Sequence, residues 1–502
     1  MRLLTDPFLQ HPTPNSVRVV WFTEFMGASH WVNYGENLEH SVLATTTQLS
    51  RTREDSPLTP PQERKIWRHE AEVTGLTPDK RIPYQVVSQE IKSKIFTLQP
   101  LPSPDKPLKI LLTSDHQLMP MTSANMQKVV EIIGHLDAVF FAGDLVNVAD
   151  RASEWFDDQK GGAFFPCLQG RASYELEKND IKTTYQGGEI IQNTPLFPTI
   201  GNHEVMGRFS QTNSLNEQFN DAVPKDFNTV TYQEIFTFPQ YYAITFGKIR
   251  LVVLYITNIW RFPNLDASTK GRYQEKESDL ENPEKWGYGQ HIFEPICQRS
   301  KQYQWLEKEL ESEQFKTSEY KIIMFHHPPH TLGGNIVPPY TNPLQKIVYS
   351  PTGKIEAIYY DYPQENDYII RDVIPLLEKA QVNLVFYGHS HLWNRFLGKT
   401  GINFLESSNV GNSYGAHLGE NKRPVPPGSD YCTIGNPNGL EPIVPNIAPL
   451  IDEENKVLPY IASNDITVFS ILDTEAGTVS SYRFDTRYPD SGVIKFDQFF
   501  LF

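Results

Sequence analysis

Five short stretches carry the side chains able to do chemistry. They are Thr113-Ser114-Asp115-His116-Gln117, Gly143-Asp144 with Asn147 three residues on, Gly201-Asn202-His203-Glu204, His326-His327-Pro328-Pro329-His330, and Gly388-His389-Ser390-His391. Their donors are carboxylate and amide oxygens and imidazole nitrogens. No thiolate lies among them, so the set suits Mn, Fe or Zn, or a mixture of these. Taken singly, each has an ordinary explanation: Gly-Asp and Gly-Asn-His occur in turns, and His-His-Pro can end a strand. Gly-His-Ser-His is more telling, because residues i and i+2 of an extended segment point the same way and His389 and His391 can then converge. Five such stretches in succession are much harder to explain as turns.

Each stretch begins where an apolar run stops. Strand candidates 108–113, 137–142, 196–200, 320–325 and 382–387 deliver Asp115, Asp144, Asn202, His326 and His389 at their C-terminal ends, where open α/β sheets bind ligands. Further strands are expected at 241–246, 249–256, 402–406, 466–471 and 478–484, and helices at 122–134, 300–314 and 368–380. From residue 108 on, this predicts an α/β layered domain with antiparallel hairpins mixed in. Long polar segments, 151–195, 205–235, 258–297, 331–366 and 411–462, separate the elements. Three of them, 151–195, 258–297 and 331–366, are expected to rim the site, with Trp155, Arg208, Tyr340 and Tyr360 as substrate-contact candidates.

Residues 16–98 read differently. In Ser16–Phe25, Val17, Val19 and Trp21 share one face by period two, and strand-like runs around a Gly75/Pro78 turn lead to a last strand at 93–100. Short strands with turn signals and no helical period predict an all-β sandwich over 1–103. Pro100, Pro102, Pro104 and Pro107 form a stiff linker to a second domain over 107–502.

The chain has 502 residues, 39% hydrophobic and 21% charged, enough to build packed cores. A formal net charge of −15 argues against a nucleic-acid partner. Three distant cysteines, Cys167, Cys297 and Cys432, exclude a disulfide framework. The N-terminal segment lacks the apolar core of a signal peptide, and no apolar run approaches the ~18 residues of a membrane span. A cytoplasmic protein is expected, with secretion as the alternative should the start be misplaced.

The ordered set Asp115, Gly143-Asp144, Gly201-Asn202-His203-Glu204, His326-x-Pro328 and Gly388-His389-x-His391 resembles the calcineurin-like metallophosphoesterases. The β-rich leader with its "GLTP…YQV" pattern, similar to a fibronectin type III domain, together with 241–258 and 302–310, resembles the purple acid phosphatase branch. The resemblance implies two central mixed sheets flanked by helices, two divalent or trivalent ions (Fe, Mn or Zn), and hydrolysis of phosphate monoesters or diesters of small molecules by metal-activated hydroxide. It implies that Asp144 bridges the ions, that Asp115 and His391 complete one site, and that Asn202, His326 and His389 complete the other. His203 would contact phosphate and protonate the leaving oxygen, oriented by Glu204. His327 should point away from His326 and be structural, while His330 could reach the substrate.

The sequence departs from the family at one place. The common Asp-x-His motif has Gln117 as its third residue, and the purple acid phosphatase tyrosine is replaced by Asn147. One site is therefore a ligand short or uses a substitute. Gln117 is favoured, directly or through water, because alternation places it on the face of Asp115 and turns His116 away; Asn147, His116 and water are the alternatives. Without tyrosinate, no purple absorption is expected and a ferric ion is disfavoured. The competing reading is a metal- or phosphate-binding protein of the same fold with reduced or lost catalysis. A third reading makes the β-domain a module that directs the enzyme to a protein or glycan. Oligomeric state is not readable.

Overall fold

The computed structural model describes residues 2–56, 59–206, 228–257, 273–275, 277–282, 296–330, 344–361, 367–411 and 440–501. Its N-terminal part is a sandwich of two antiparallel sheets. Phe8–Gln10, Ser16–Thr23, Trp67–Thr74 and Thr45–Gln48 form one, and Ile91–Lys92, Ile82–Ser88, His30–Tyr34 and His40–Leu43, with Phe96–Leu98 against Ile82–Ser88, form the other. The alternation in Ser16–Thr23 decides what each face meets. Val17, Val19 and Trp21 pack into the sandwich core with Val32, Val73, Tyr84 and Val86. Val20 and Phe22, on the opposite face, join the core of the following domain, where Phe22 lies 5.0 Å from Phe156 and 5.5 Å from Phe165. A strand buried on both faces locks the sandwich onto the rest of the chain.

The second part is built on two mixed sheets. The six-stranded sheet runs Leu196–Pro198, Ala138–Phe141, Lys109–Thr113, Ile466–Asp473, Thr478–Asp485, Ile494–Phe500, its first three strands parallel. The larger sheet runs Tyr242–Phe246, Ile249–Val253, Tyr320–Met324, Leu384–Tyr387, Asn403–Ser407, Trp393–Leu397, Glu441–Pro442, with its middle four parallel. Alternation again divides the faces: Leu251 and Val253 point into the core shared by the two sheets. Val252 and Leu254 point outward, where they meet Leu306 and Leu310 of helix Lys301–Leu310 and Val373 and Leu377. The helix Thr122–Ile133 buries Met126 and Val129 in the shared core.

This is the expected architecture, a β-rich N-terminal domain followed by layered mixed sheets flanked by helices. The differences are local. Helix 300–314 breaks at Glu311, and Ser312 caps a second helix, Glu313–Thr317, by accepting from the Phe315 amide. Over 368–380 the first turns, Ile369–Val373, are π-helical and only Ile374–Lys379 is α-helical, with Pro375 in its first turn. Strands Trp393–Leu397 and Ile494–Phe500 add to those expected. Segment 151–195 is not a polar rim: Ala152–Phe156 and Phe164–Leu168 are helices whose aromatic rings fill the core between the domains, and Tyr174–Lys178 pairs with Ile181–Tyr185. Trp155, expected at the substrate, is fully buried there and donates its indole N–H to the Ala149 carbonyl. Arg208 and Tyr340 lie outside the described residues, and Tyr360 falls in the strand Ile355–Asp361, which pairs with Leu344–Tyr349.

Candidate metal centre

The parallel strands of both sheets end on one side, and their loops bring the five motifs together. The backbone there is unusual. Asp115, Gln117, Asp144, His389 and His391 all have positive φ, between 39° and 79°. A side-chain-bearing residue in the left-handed region costs on the order of 1–3 kcal/mol and persists where its surroundings over-determine it. The strand therefore stops at Thr113, and extended alternation no longer governs where Asp115, Gln117, His389 and His391 point. The expected convergence of His389 and His391 by an i, i+2 rule is corrected accordingly: the His389 ring turns to Asn202 and His326, and the His391 ring to Asp115.

Glycine is required where these loops touch. A Cβ on Gly143, whose φ is +91°, would lie 2.8 Å from both the Gly201 amide and His326 Nδ1. A Cβ on Gly201 would fall on the Asp144 carboxylate, and one on Gly388 on Ser114 and the Asp115 carboxylate. The glycines of the three motifs are there for close approach of chain to chain.

One group of donors gathers around Asn202. Its Oδ1 lies 3.1 Å from His326 Nε2 and 2.9 Å from His389 Nδ1. His326 Nε2 is also 3.1 Å from Asp144 Oδ2 and 3.2 Å from His389 Nδ1. His326 Nδ1 donates to the Ala142 carbonyl at 2.8 Å, so its Nε2 carries the lone pair when the ring is neutral. Lone pairs of an imidazole, an amide oxygen and a carboxylate then face one another, an arrangement that a cation relieves. With no ion bound, a proton on His326 Nε2 takes the cation's place. Burial pulls the His326 imidazole down, but Asp144, by charge and hydrogen bond, and Asp115 lift it to about 10. Burial likewise opposes charge on Asp144, yet His326 and His203 hold its carboxyl well below the usual range. His389, buried beside His327 and His326, is kept neutral.

A second group is Asp115, Asp144 and His391, whose ligand atoms all lie within 4.8 Å of one another. Gln117 borders it: its side-chain amide lies 3.2 Å from Asp144 Oδ2, oriented with Nε2 toward the carboxylate. Gln117 Oε1 is buried with no hydrogen-bond partner among the described residues. The two ends of an amide differ only by a half-turn. That turn would bring an oxygen toward the Asp115–Asp144–His391 group and end the isolation of the buried acceptor. Asn147 sits otherwise, its Nδ2 donating to the Gln117 carbonyl at 2.8 Å. His116 turns away, as expected. Its ring lies edge-on to Phe141, bonds Thr113 Oγ1 at 3.0 Å, and is pushed down to about 3 by burial.

His203 stands at the edge, 26% exposed, with Nε2 3.9 Å from Asp144 Oδ2. Its Nδ1 bonds the Asn147 carbonyl at 2.8 Å, and a carbonyl only accepts, so Nδ1 carries the hydrogen and Nε2 is the nitrogen turned to the centre. Glu204 does not orient this ring. It is fully buried and accepts from the amides of Asp144 at 2.9 Å, Leu145 at 2.8 Å and Gly201 at 2.8 Å. It thus ties two motif loops together, and burial and the neighbouring Asp144 push it up to about 7. His327 does not turn away from His326 either: its ring stacks on His389 at 4.0 Å, and His326, His327 and His389 form a third close set of nitrogens. His330, expected near the substrate, is buried against Phe396 and Tyr387 with Nε2 3.4 Å from Glu406 Oε2. Burial pushes it down to about 3.

Sequence reasoning missed Glu406. Fully buried at the end of Asn403–Ser407, it accepts from the Ser390 amide at 2.7 Å, Ser408 Oγ at 2.8 Å and Asn394 Nδ2 at 2.8 Å, fixing the Gly388–His391 loop as Glu204 fixes the others. Its only sequence signal is a carboxylate inside an apolar run, Asn403-Phe404-Leu405-Glu406.

The purple acid phosphatase N-terminal domain matches residues 8–99. Among solved structures, the purple acid phosphatase PPD1 from yellow lupin (Lupinus luteus) seeds shares the fold with TM-score 0.55 and 15% identity, over 98% of this chain and 73% of that one. PhoD, at TM-score 0.46 and 13% identity over 98% and 91% of the two chains, and a dimetal phosphatase from Danio rerio, at 0.34 and 13% over 78% and 99%, are more distant. No curated protein matches the chain. The calcineurin-like phosphoesterase family matches residues 108–392, more than half of the 502 residues and every one of the five motifs, and the chain belongs to that family.

Proposed function

We propose that the protein is a dinuclear metal-dependent phosphoesterase that hydrolyses monoesters or diesters of small phosphorylated molecules. The observation that carries this is the meeting of Asp144, Asn202, His326 and His389 lone pairs within 3.2 Å, beside the Asp115–Asp144–His391 group. Asp144 would serve both ions, Asp115, His391 and Gln117 one of them, and Asn202, His326 and His389 the other. Bound there, the ions would draw in the phosphate and make a water acidic enough to act as nucleophile near neutral pH. The protein's own part is positional. Asn202 adds a neutral oxygen that limits negative charge, and the His326 Nδ1–H bond to Ala142 keeps Nε2 turned inward. His203, with Nδ1–H tied to the Asn147 carbonyl, presents Nε2 to the centre, and as the imidazolium, with both nitrogens protonated, it would give the Nε2 proton to the leaving oxygen and be left as the neutral Nδ1–H ring. The sandwich at 1–103 and the phosphoesterase domain at 107–502 are part of the same proposal, supported by the two family matches.

The second reading, a binding protein with weak or lost catalysis, is favoured by the position of Asn147. Its amide nitrogen is committed to the Gln117 carbonyl, and the side chain brings no negative charge to the centre. Loading with Mn, Fe or Zn, metal analysis, and assay on 4-nitrophenyl phosphate and bis(4-nitrophenyl) phosphate separate the two. Two ions per chain with turnover, both abolished by Asp144→Ala, is the expected result. Metal binding without turnover supports the second reading, and unchanged metal content in Asp144→Ala refutes the site.

A further inference from the structure

We propose that the N-terminal domain completes the catalytic site: Arg53, through its ion pair with Asp150, sets the loop whose Asn147 carbonyl holds the His203 ring. This rests on the phosphoesterase reading and adds a function for the β-domain, which is thereby a working part of the site rather than an appended module.

The connection runs through named contacts. His203 Nδ1 donates to the Asn147 carbonyl at 2.8 Å. Asn147 is held in turn, its amide donating to Glu154 Oε2 at 2.6 Å and its side chain to the Gln117 carbonyl at 2.8 Å. Glu154, buried in the short helix Ala152–Phe156, also accepts from the Val148 amide at 3.0 Å and pairs with Arg151. The loop between Asp144 and this helix is thus tied at one end to the metal donors. Its other end is gripped by the N-terminal domain, at the hairpin of Arg53–Ser56 with Thr59–Glu63 that lies outside the two sandwich sheets. Arg53 Nη1 and Arg51 Nε reach Asp150 Oδ2 at 3.0 and 3.2 Å, and the Arg53 amide donates to the Asp150 carbonyl at 3.0 Å. Glu54 accepts from the Ser153 amide at 2.8 Å and its hydroxyl at 2.7 Å. Asp150 is fully buried and Arg53 is 3% exposed, and Thr231 Oγ1 donates to the remaining carboxylate oxygen at 2.6 Å. Without the buried Arg53 guanidinium, Asp150 keeps only the more exposed Arg51 on Oδ2, and a carboxylate out of water that loses one of its two cations shifts toward the other or draws water in. Asn147 is three residues away on the same loop, and a proton donor misplaced by about 1 Å can lose about a hundredfold in rate.

Arg53→Met removes the charge and keeps the apolar stem. In the metal-loaded full-length chain, kcat on phenyl phosphate is expected to fall about ten- to a hundredfold with metal content unchanged. On 4-nitrophenyl phosphate, whose leaving group needs less protonation, the fall is smaller. In a His203→Gln background Arg53→Met is expected to cost less than about twofold, because the route through the ring is already gone. Nitrogen-15 NMR of labelled histidine, read at a pH where the ring is neutral, should show loss of the pure Nδ1–H tautomer of His203 in Arg53→Met. Equal losses in both backgrounds, or an unchanged ring tautomer, overturn the proposal. Should Arg53→Met not fold, Arg53→Lys, which keeps the charge without the fork, carries the same expectations at smaller amplitude. A wild type inactive on every ester refutes the phosphoesterase reading alone, and the tautomer measurement still decides the positioning role.

Discussion

Removing Glu204 tests whether the loops of the centre are held by a buried carboxylate. Its two oxygens accept three main-chain N–H groups, those of Asp144, Leu145 and Gly201, all buried. Glu204→Ala leaves those donors without their acceptor, at about 1–3 kcal/mol each. Part of this is returned, because a carboxylate is no longer buried beside Asp144. Removing one partner of a buried charged set leaves a net loss of about 3–5 kcal/mol. With an unfolding entropy of about 2.1 cal/mol/K per residue over a domain of about 400 residues, the midpoint should fall by about 4–6 °C. Glu204→Gln keeps one acceptor oxygen and should lose less. The assay is calorimetry on protein stripped with a chelator, so that metal binding does not enter the comparison, with metal analysis on reloaded samples. Metal uptake should also fall in Glu204→Ala, because the Asp144 and Asn202 loops lose their common tie. Glu177→Ala, on a side chain 57% exposed, should stay within about 0.5 kcal/mol of wild type. A stripped Glu204→Ala protein that loses under about 1 kcal/mol and still takes up two ions refutes the reasoning.

Three further outcomes are expected. His69, stacked on His30 at 3.7 Å and bonded to Thr23 and Thr46, is pushed down to about 3 by burial and by His30. A base neutral when folded and charged when unfolded stabilises the fold above its unfolded value near 6.5 and loses that contribution as pH falls toward 3. From pH 7 to 5 this amounts to about 2 kcal/mol, read as a drop in unfolding midpoint that His69→Gln should flatten. Gln117→Glu should tighten metal binding at the Asp115–Asp144–His391 group by adding an anionic oxygen, measured by calorimetric titration, whereas Gln117→Leu should leave that ion weaker than its neighbour; equal affinities in all three proteins would place Gln117 outside the site. Gly143→Ala puts a methyl 2.8 Å from the Gly201 amide and His326 Nδ1 at a φ of +91°. Loss of metal from a folded protein is expected, by circular dichroism and metal analysis.

The amino-acid sequence by itself determined the order of the parallel strands and the donor that each delivers. Runs such as Ile110–Leu112 and Leu384–Phe386 are buried on both faces and so read as continuous apolar segments, and their abrupt ends mark where polar side chains can gather. The alternation of Val17, Val19 and Trp21 in the sandwich was equally plain. The sequence could not show where those side chains point. Past Thr113, Phe141 and Tyr387 the backbone turns left-handed, and period-two reasoning ends with the strand. His389 thereby comes to stack on His327, while His330 is buried against Tyr387 and Phe396 behind the loop it was expected to help. Nor could spacing in the chain reveal Glu204 and Glu406 as the groups that hold the loops, or join Arg53 to Asp150 across 97 positions. A carboxylate acquires those partners only when segments remote in sequence are packed together, out of water, against main-chain N–H groups that need an acceptor. What the sequence carried was the list of donors; the tertiary structure decided their directions, because burial leaves each polar group only the partners that the packing brings to it.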